Sequence, residues 1–393
     1  MYSAPRESRV SAVVVGADAH GLGIARSLAK GSVPVVIVDD NGLRPGMHSR
    51  YARPFIVNTI SGPGLVNGLL ALQSSLDERP VLFVTSDAHV HTISGLRERL
   101  TQAFRIRLPD HETTCELLHK FRFQVAAENC GFPVPRAVRV CGERDLAALR
   151  KLRFPGVVKP AQKVLALKGR TLRAHKVLSR HDAEAVCRDA LPKVPDLIVQ
   201  EWIEGAESDI YFCLQYRGAD GATVSSFTGR KLRCWPPQTG STASCTAAPD
   251  LEPVLEPLTK AFFDKTEVVG LCSMEFKRER STGKFFMIEP TIGRTDWQEE
   301  VAALHGVNIP LAAYLYELQL PMPLAERTCR PLIWRDPSGY WRSALVGRSL
   351  CDPGPPGAAV KSACWRNDDP LPLAFFWLEW ARKGWRPTAW REK

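Results

Sequence analysis

No stretch of about 18 uninterrupted apolar residues occurs in the chain, so nothing in it reads as a membrane-spanning helix. Paired cysteines are also missing. The eleven cysteines stand singly, without the CxxC spacing of a zinc or redox motif, and read as reduced, mostly buried thiols. There is no block of Lys and Arg of the kind that forms a nucleic-acid arm. The net charge of +10 is spread along the chain and interleaved with acids, which favours small anionic partners such as nucleotides over nucleic acid. Met1–Arg9 is polar and the first apolar run, Ala12–Val15, is only strand-sized, so no secretory pattern opens the chain and a cytoplasmic protein is expected. Internal repeats and low-complexity segments are absent. What remains is a folded chain of 393 residues with 45% hydrophobic content, enough for two or three cores.

The first 110 residues alternate strand and helix. Ser11–Val15 and Val33–Asp39 are continuous apolar strands of the kind buried in a parallel sheet, joined by a turn holding Gly16, Gly21 and Gly23 and by a helix over Ile24–Ala29. A further strand, Val81–Thr85, precedes a helix around Leu96–Phe104. The unit is Rossmann-like, but its glycines do not make GxGxxG, so it reads as a scaffold or substrate-contacting half-domain rather than a dinucleotide site. After Pro109-Asp110 a helix is expected over Thr113–Asn129, stopped by Gly131. Residues 111–323 then mix short strands (Gly156–Lys159, Leu197–Glu201, Ile210–Tyr216, Cys272–Lys277, Phe285–Glu289) with helices (Glu143–Leu149, Asp182–Asp189, Leu255–Lys265, Ile309–Glu317), an α+β pattern. Residues 324–393 form a third segment, rich in Pro, Gly and Trp, with seven of the ten tryptophans. Packing of those tryptophans onto the core is expected first. An interfacial contact beside Arg382, Lys383 and Arg386 is the alternative.

Four features of the middle region combine into a site. Lys159 sits on a short apolar strand, where an unpaired charge costs several kcal/mol, so it should face a cleft or an anion. The strand through Gln200, Glu201, Trp202 and Ile203 ends in a glycine turn with Glu207 just beyond, an edge suited to a base and an acid suited to ribose hydroxyls. Glu275 and Glu289 lie near the ends of two apolar strands, with a hairpin signal at Thr282-Gly283 between them. Two carboxylates on adjacent strands repel unless a cation lies between them or each finds a base, and Mg²⁺ favours such a pair together with phosphate oxygens.

In this order the residues resemble the ATP-grasp superfamily, and within it the carboxylate–amine ligases, the group that includes D-alanine–D-alanine ligase and D-aspartate ligase. The resemblance implies a Rossmann-like pre-ATP-grasp domain (1–110) and a two-lobed ATP-grasp domain (111–323), with a lid-bearing lobe at about 136–200 and a metal-bearing lobe at about 201–323. It implies that Lys120 and Lys159 contact nucleotide phosphates, that Gln200–Ile203 form the adenine hinge, and that Glu207, with Asp209 a rival for the role, binds ribose. Glu275, Glu289 and, as a weaker oxygen donor, Thr291 become the ligands of Mg²⁺ or of Mn²⁺ in its place. Arg230 and Lys231 face the transferred phosphoryl group, Arg294 holds a substrate carboxylate, and Lys163, Lys168 and Arg170 belong to a basic lid.

The expected chemistry follows from those parts. ATP phosphorylates a small carboxylate, and the acyl phosphate is captured by an amine in a site that keeps water out. Thr291 stands where the group usually has an asparagine. That departure keeps open a kinase, a carboxylase or an ATP-binding regulator without turnover.

Overall fold

The computed structural model describes residues 10–162, 174–323, 326–328, 330–345 and 352–382. The proposed lid residues Lys163, Lys168 and Arg170, and Lys383, Trp385, Arg386 and Trp390 of the terminal segment, lie outside them.

The first unit runs β1 (Ala12–Val15), α1 (Ala19–Ala29), β2 (Val35–Asp39), β3 (Arg53–Ile56), α2 (Gly62–Gln73), β4 (Val81–Val84), α3 (Asp87–Gly95) and α4 (Arg97–Leu100). Its four strands pair in parallel in the order β3-β2-β1-β4, and β1, β2 and β4 bury every residue, as continuous apolar runs require. Asp18 caps α1 by accepting from the backbone N–H groups of His20 and Gly21. Gly21 is required there: a Cβ would stand 1.8 Å from the carbonyl oxygen of Gly16. The helix expected around Leu96–Phe104 starts instead at Asp87, because Ser86 accepts from His89 N and caps α3.

The second unit runs α5 (His111–Leu118), α6 (Lys120–Asn129), β5 (Ala137–Val140), β6 (Gly156–Pro160), β7 (His175–Val177), α7 (Arg180–Ala190) and β8 (Leu197–Glu201). The strands form an antiparallel sheet in the order β5-β8-β6-β7. The single helix expected over Thr113–Asn129 is two. His119 breaks it with extended backbone, accepting from Arg122 N while Lys120 N donates to Ala161 O at 2.8 Å. The break sets Lys120 at the first position of α6.

The largest sheet is built from β9 (Ile210–Arg217), β10 (Thr223–Trp235), β11 (Ser241–Ala247), β12 (Gly270–Arg278) and β13 (Phe285–Ile292), with α8 (Glu252–Lys265) between β11 and β12. Then follow α9 (Glu300–Leu304), α10 (Ile309–Glu317), β14 (Leu332–Arg335), α11 (Pro337–Leu345), β15 (Ala359–Ser362) and α12 (Leu371–Arg382). The seven strands order as β13-β12-β9-β10-β11-β14-β15. Two strands from beyond residue 324 thus extend the sheet, and Trp334 on β14 is fully buried with its indole N–H donated to Glu300. No helix among the described residues is long and apolar enough to cross a membrane.

Candidate active site

Gly283, in the left-handed region at φ 71°, closes the turn joining β12 to β13, and the register sets Glu275 directly opposite Glu289. Directly opposed residues share a face of the sheet. Each acid holds a lysine brought from elsewhere: Lys231 of β10 reaches across β9 to Glu275 at 2.5 Å, and Lys120 at the start of α6 meets Glu289 at 2.7 Å. Lys159 on β6 points into the same space and is 8% exposed. The space is a cavity of about 390 Å³ between the second sheet and the third, walled by Lys120, Lys159, Gln200–Ile203, Glu275 and Glu289.

Charge in this cavity is strongly perturbed. Burial pulls Lys159 down to about 7, helped by the neighbouring charge of Lys120. Burial likewise lowers Lys120 to about 8, against the pull of Asp87 and Glu275. Lys231 is as buried, yet the Glu275 carboxylate holds it firmly in its charged form. Burial thus disfavours the charged form of both lysines, and an anion bound beside them would favour it.

No family model matches the chain. A stretch of 94 residues is 32% identical to a D-alanine–D-alanine ligase from Pseudomonas entomophila, covering 24% of this chain and 28% of that ligase. Solved structures match over most of the length. An ADP complex of N5-carboxyaminoimidazole ribonucleotide synthetase superposes with a TM-score of 0.63 at 14% identity, covering 83% of this chain and 82% of that one. Biotin carboxylase from Campylobacter jejuni gives 0.63 at 12% identity, covering 81% and 73%. The chain has the ATP-grasp fold.

Within the ATP-grasp fold the expected residues are not all gathered at the cavity. Gln200–Ile203 line it, although Gln200 donates its side-chain amide to Gln124 at 3.1 Å and Glu201 accepts from the backbone and guanidinium of Arg153. Glu207 stands outside the lining: its carboxylate accepts from Cys234 N at 2.8 Å and Gln238 N at 2.9 Å, so it braces the turn whose Gln238, Thr239 and Gly240 form the wall. Arg230 and Lys231 part company because successive strand residues alternate. Lys231 shares the face of Gly229, Phe212 and Glu275, whereas Arg230 is in register with Tyr211 and Phe276 on the face packed against α8.

Arg294 also lies away from the cavity wall. It donates Nε to Asp87 at 2.7 Å and an N–H to Thr295 O at 2.9 Å, linking the end of β13 to the first turn of α3. Beside it His20 bridges Thr85 O and Thr295 Oγ1, and burial with the Arg294 charge drives that imidazole to about 3 and His89 to about 4. Both rings are therefore neutral at physiological pH. Thr291 donates its hydroxyl to Asp296 at 2.8 Å, as does Ser273, its partner across the ladder, at 2.7 Å. Asp296, the acceptor of both hydroxyls, is not among the residues that the sequence singles out. It sits on a loop just past Thr291, and the fold brings it within electrostatic reach of Lys231. Lys277, another cavity residue, went unassigned because its strand carries several charged residues; it donates to Ala206 O at 2.5 Å.

Proposed function

We propose that the protein is an ATP-dependent ligase that joins a small carboxylate to an amine through an acyl phosphate. The observation that carries this reading is the convergence on one cavity of Lys120 and Lys159 with the opposed pair Glu275 and Glu289, beside the Gln200–Ile203 strand end, with Lys231 held against Glu275 from behind the wall. In this reading the β8 edge receives the adenine, and Lys120 and Lys159 receive phosphate oxygens. The start of α6 adds its backbone dipole to the Lys120 charge.

Glu275, Glu289 and Thr291 offer oxygen donors only, the set suited to Mg²⁺ or Mn²⁺, and Asp296 stands ready to orient the threonine. A cation held there would supply charge neutralisation for the transferring phosphoryl group. The chain's own share is positional. Lys231, held charged by Glu275, stabilises the spreading negative charge. A carboxylate oxygen of the substrate attacks the γ-phosphorus as the bond to ADP breaks; the amine then attacks the acyl carbon, phosphate leaves, and the amine nitrogen loses a proton. Arg294 and the neutral His20 line the junction with the first sheet, the side from which a substrate carboxylate would approach.

The test is phosphate release with candidate acids and amines: a ligase forms ADP and phosphate in quantity only when both are present. Glu289→Ala should lower that coupled turnover by roughly a hundredfold or more, in line with losing one electrostatic group of a phosphoryl-transfer site. Coupled turnover surviving in the variant would sink the metal assignment. A second reading, carboxylation, is supported by the biotin carboxylase and the pyruvate carboxylase among the structural neighbours. Bicarbonate-dependent ADP release without an added amine acid pair would favour it.

A further inference from the structure

Where α3 of the first unit meets α5 of the second, away from the residues lining the ATP-grasp cavity, three side chains of metal-ligating type come together. His91 lies on α3, and His111 and Cys115 are one helical turn apart on α5, so the last two share a face. One ligand atom from each lies within 4.8 Å of the others. His111 Nε2 is 3.5 Å from Cys115 Sγ, close to the edge between a nitrogen and a sulfur that a tetrahedral ion would bind at roughly 2.1 and 2.3 Å. The His91 and His111 rings meet edge to face with centroids 5.1 Å apart. Ser94 Oγ lies 2.9 Å from His111 Nδ1, which occupies that nitrogen and turns Nε2 toward the thiol, the outer contact that metal-binding histidines commonly have.

We propose that His91, His111 and Cys115 form a binding site for a borderline-soft divalent cation, zinc by donor type, with a fourth position open to water. Two imidazoles and a thiolate select such an ion over Mg²⁺ or Ca²⁺, which take oxygen donors. Binding replaces the thiol proton by the metal, so one proton passes to solvent for each ion bound. Burial raises the Cys115 thiol and the Arg122 charge opposes that rise. The cation would tie α3 to α5. α3 begins with Asp87, the partner of Arg294, and α5 leads directly to the helix that starts at Lys120, so the clasp would hold two parts of the candidate active site in register.

Titrating the full-length reduced protein with Co²⁺ tests this. One equivalent should develop a thiolate-to-cobalt charge-transfer band in the near ultraviolet, which cobalt bound at the carboxylates Glu275 and Glu289 cannot produce. Cys115→Ser should abolish the band. His111→Ala and His91→Ala should weaken binding at least tenfold, and Ser94→Ala about tenfold by freeing the His111 ring. Cys130→Ser, at an exposed cysteine outside the cluster, should keep the band unchanged. Zn²⁺ should displace the cobalt and raise the melting temperature of the wild type but not of Cys115→Ser. Absence of the band at one equivalent, its survival in Cys115→Ser, or its loss in Cys130→Ser would overturn the proposal.

Discussion

At the scale of single residues, the lysines of the cavity carry the clearest consequences. Between about pH 7 and pH 10 an unfolded lysine keeps a proton that buried Lys159, with its pKa pulled to about 7, has released. The unfolded state binds more protons in that window, so this residue's contribution makes the fold more stable as pH rises. Nucleotide binding has the opposite sign, since phosphate favours the charged lysine. Calorimetry at pH 8 in two buffers of different ionisation enthalpy should therefore show proton uptake on binding ADP, and the affinity should fall from pH 7 to pH 9. Lys159→Met should weaken nucleotide binding at least tenfold while leaving the melting temperature unchanged or higher, because it removes a buried amine whose charged form burial already disfavours. A lower melting temperature with unchanged affinity would contradict this account.

At the scale of elements, the hairpin turn was legible and the long strands before it were not. Thr282-Gly283 between two apolar runs announced an antiparallel pair, and the register places Glu275 opposite Glu289. By contrast β10 and β11 hold Ser, Thr, Arg and Lys at buried positions, so no alternation marked them. They are strands because both faces are covered and their charges find partners: Lys231 meets Glu275 and Arg233 meets Asp352 at 2.9 Å. The helix break at His119 escaped notice for a similar reason, since its cause is tertiary: the imidazole lies 2.9 Å from Asp196, far along the chain. Glu207 shows what such an element does for the site. Its carboxylate secures the turn carrying Gln238, Thr239 and Gly240, so Glu207→Ala should raise the KM for ATP several-fold with little change in kcat and only a small loss of stability. Steady-state kinetics read this directly; a large fall in kcat with KM unchanged would mean that the carboxylate acts on the reaction itself.

At the scale of the whole molecule, the terminal segment returns to the first sheet. Asp369 accepts from Arg26 at 2.9 Å, from Ser49 Oγ at 2.8 Å and from Arg50 N at 3.0 Å, and Glu379 of α12 meets Arg44 at 3.2 Å and Asn41 at 3.0 Å. His48 stacks on Phe375 with ring centroids 3.2 Å apart. Packing onto the core is thus what the described part of this segment does, although Trp341 and Trp365 keep nearly half their surface exposed. Arg26 and Asp369 are both almost fully buried, so Asp369→Ala strands a guanidinium and should cost about 3 kcal/mol in urea unfolding. A change below about 1 kcal/mol would mean that Glu300, at 3.8 Å from Arg26, replaces the lost partner.

The chain by itself determined what depends on local pattern: buried parallel strands from continuous apolar runs, the β12–β13 hairpin from its turn residues, and the candidate Lys159, Glu275 and Glu289 from charges set on apolar strands. Only the tertiary structure decided what depends on register and long-range contact. It turned Arg230 away from Lys231, assigned Arg294 to Asp87 and drew Glu207 out of the cavity wall. The reason is physical. A side chain's type and spacing are fixed by its neighbours in sequence, whereas the partner that sets its charge and direction is supplied by whichever strand or loop the fold lays beside it.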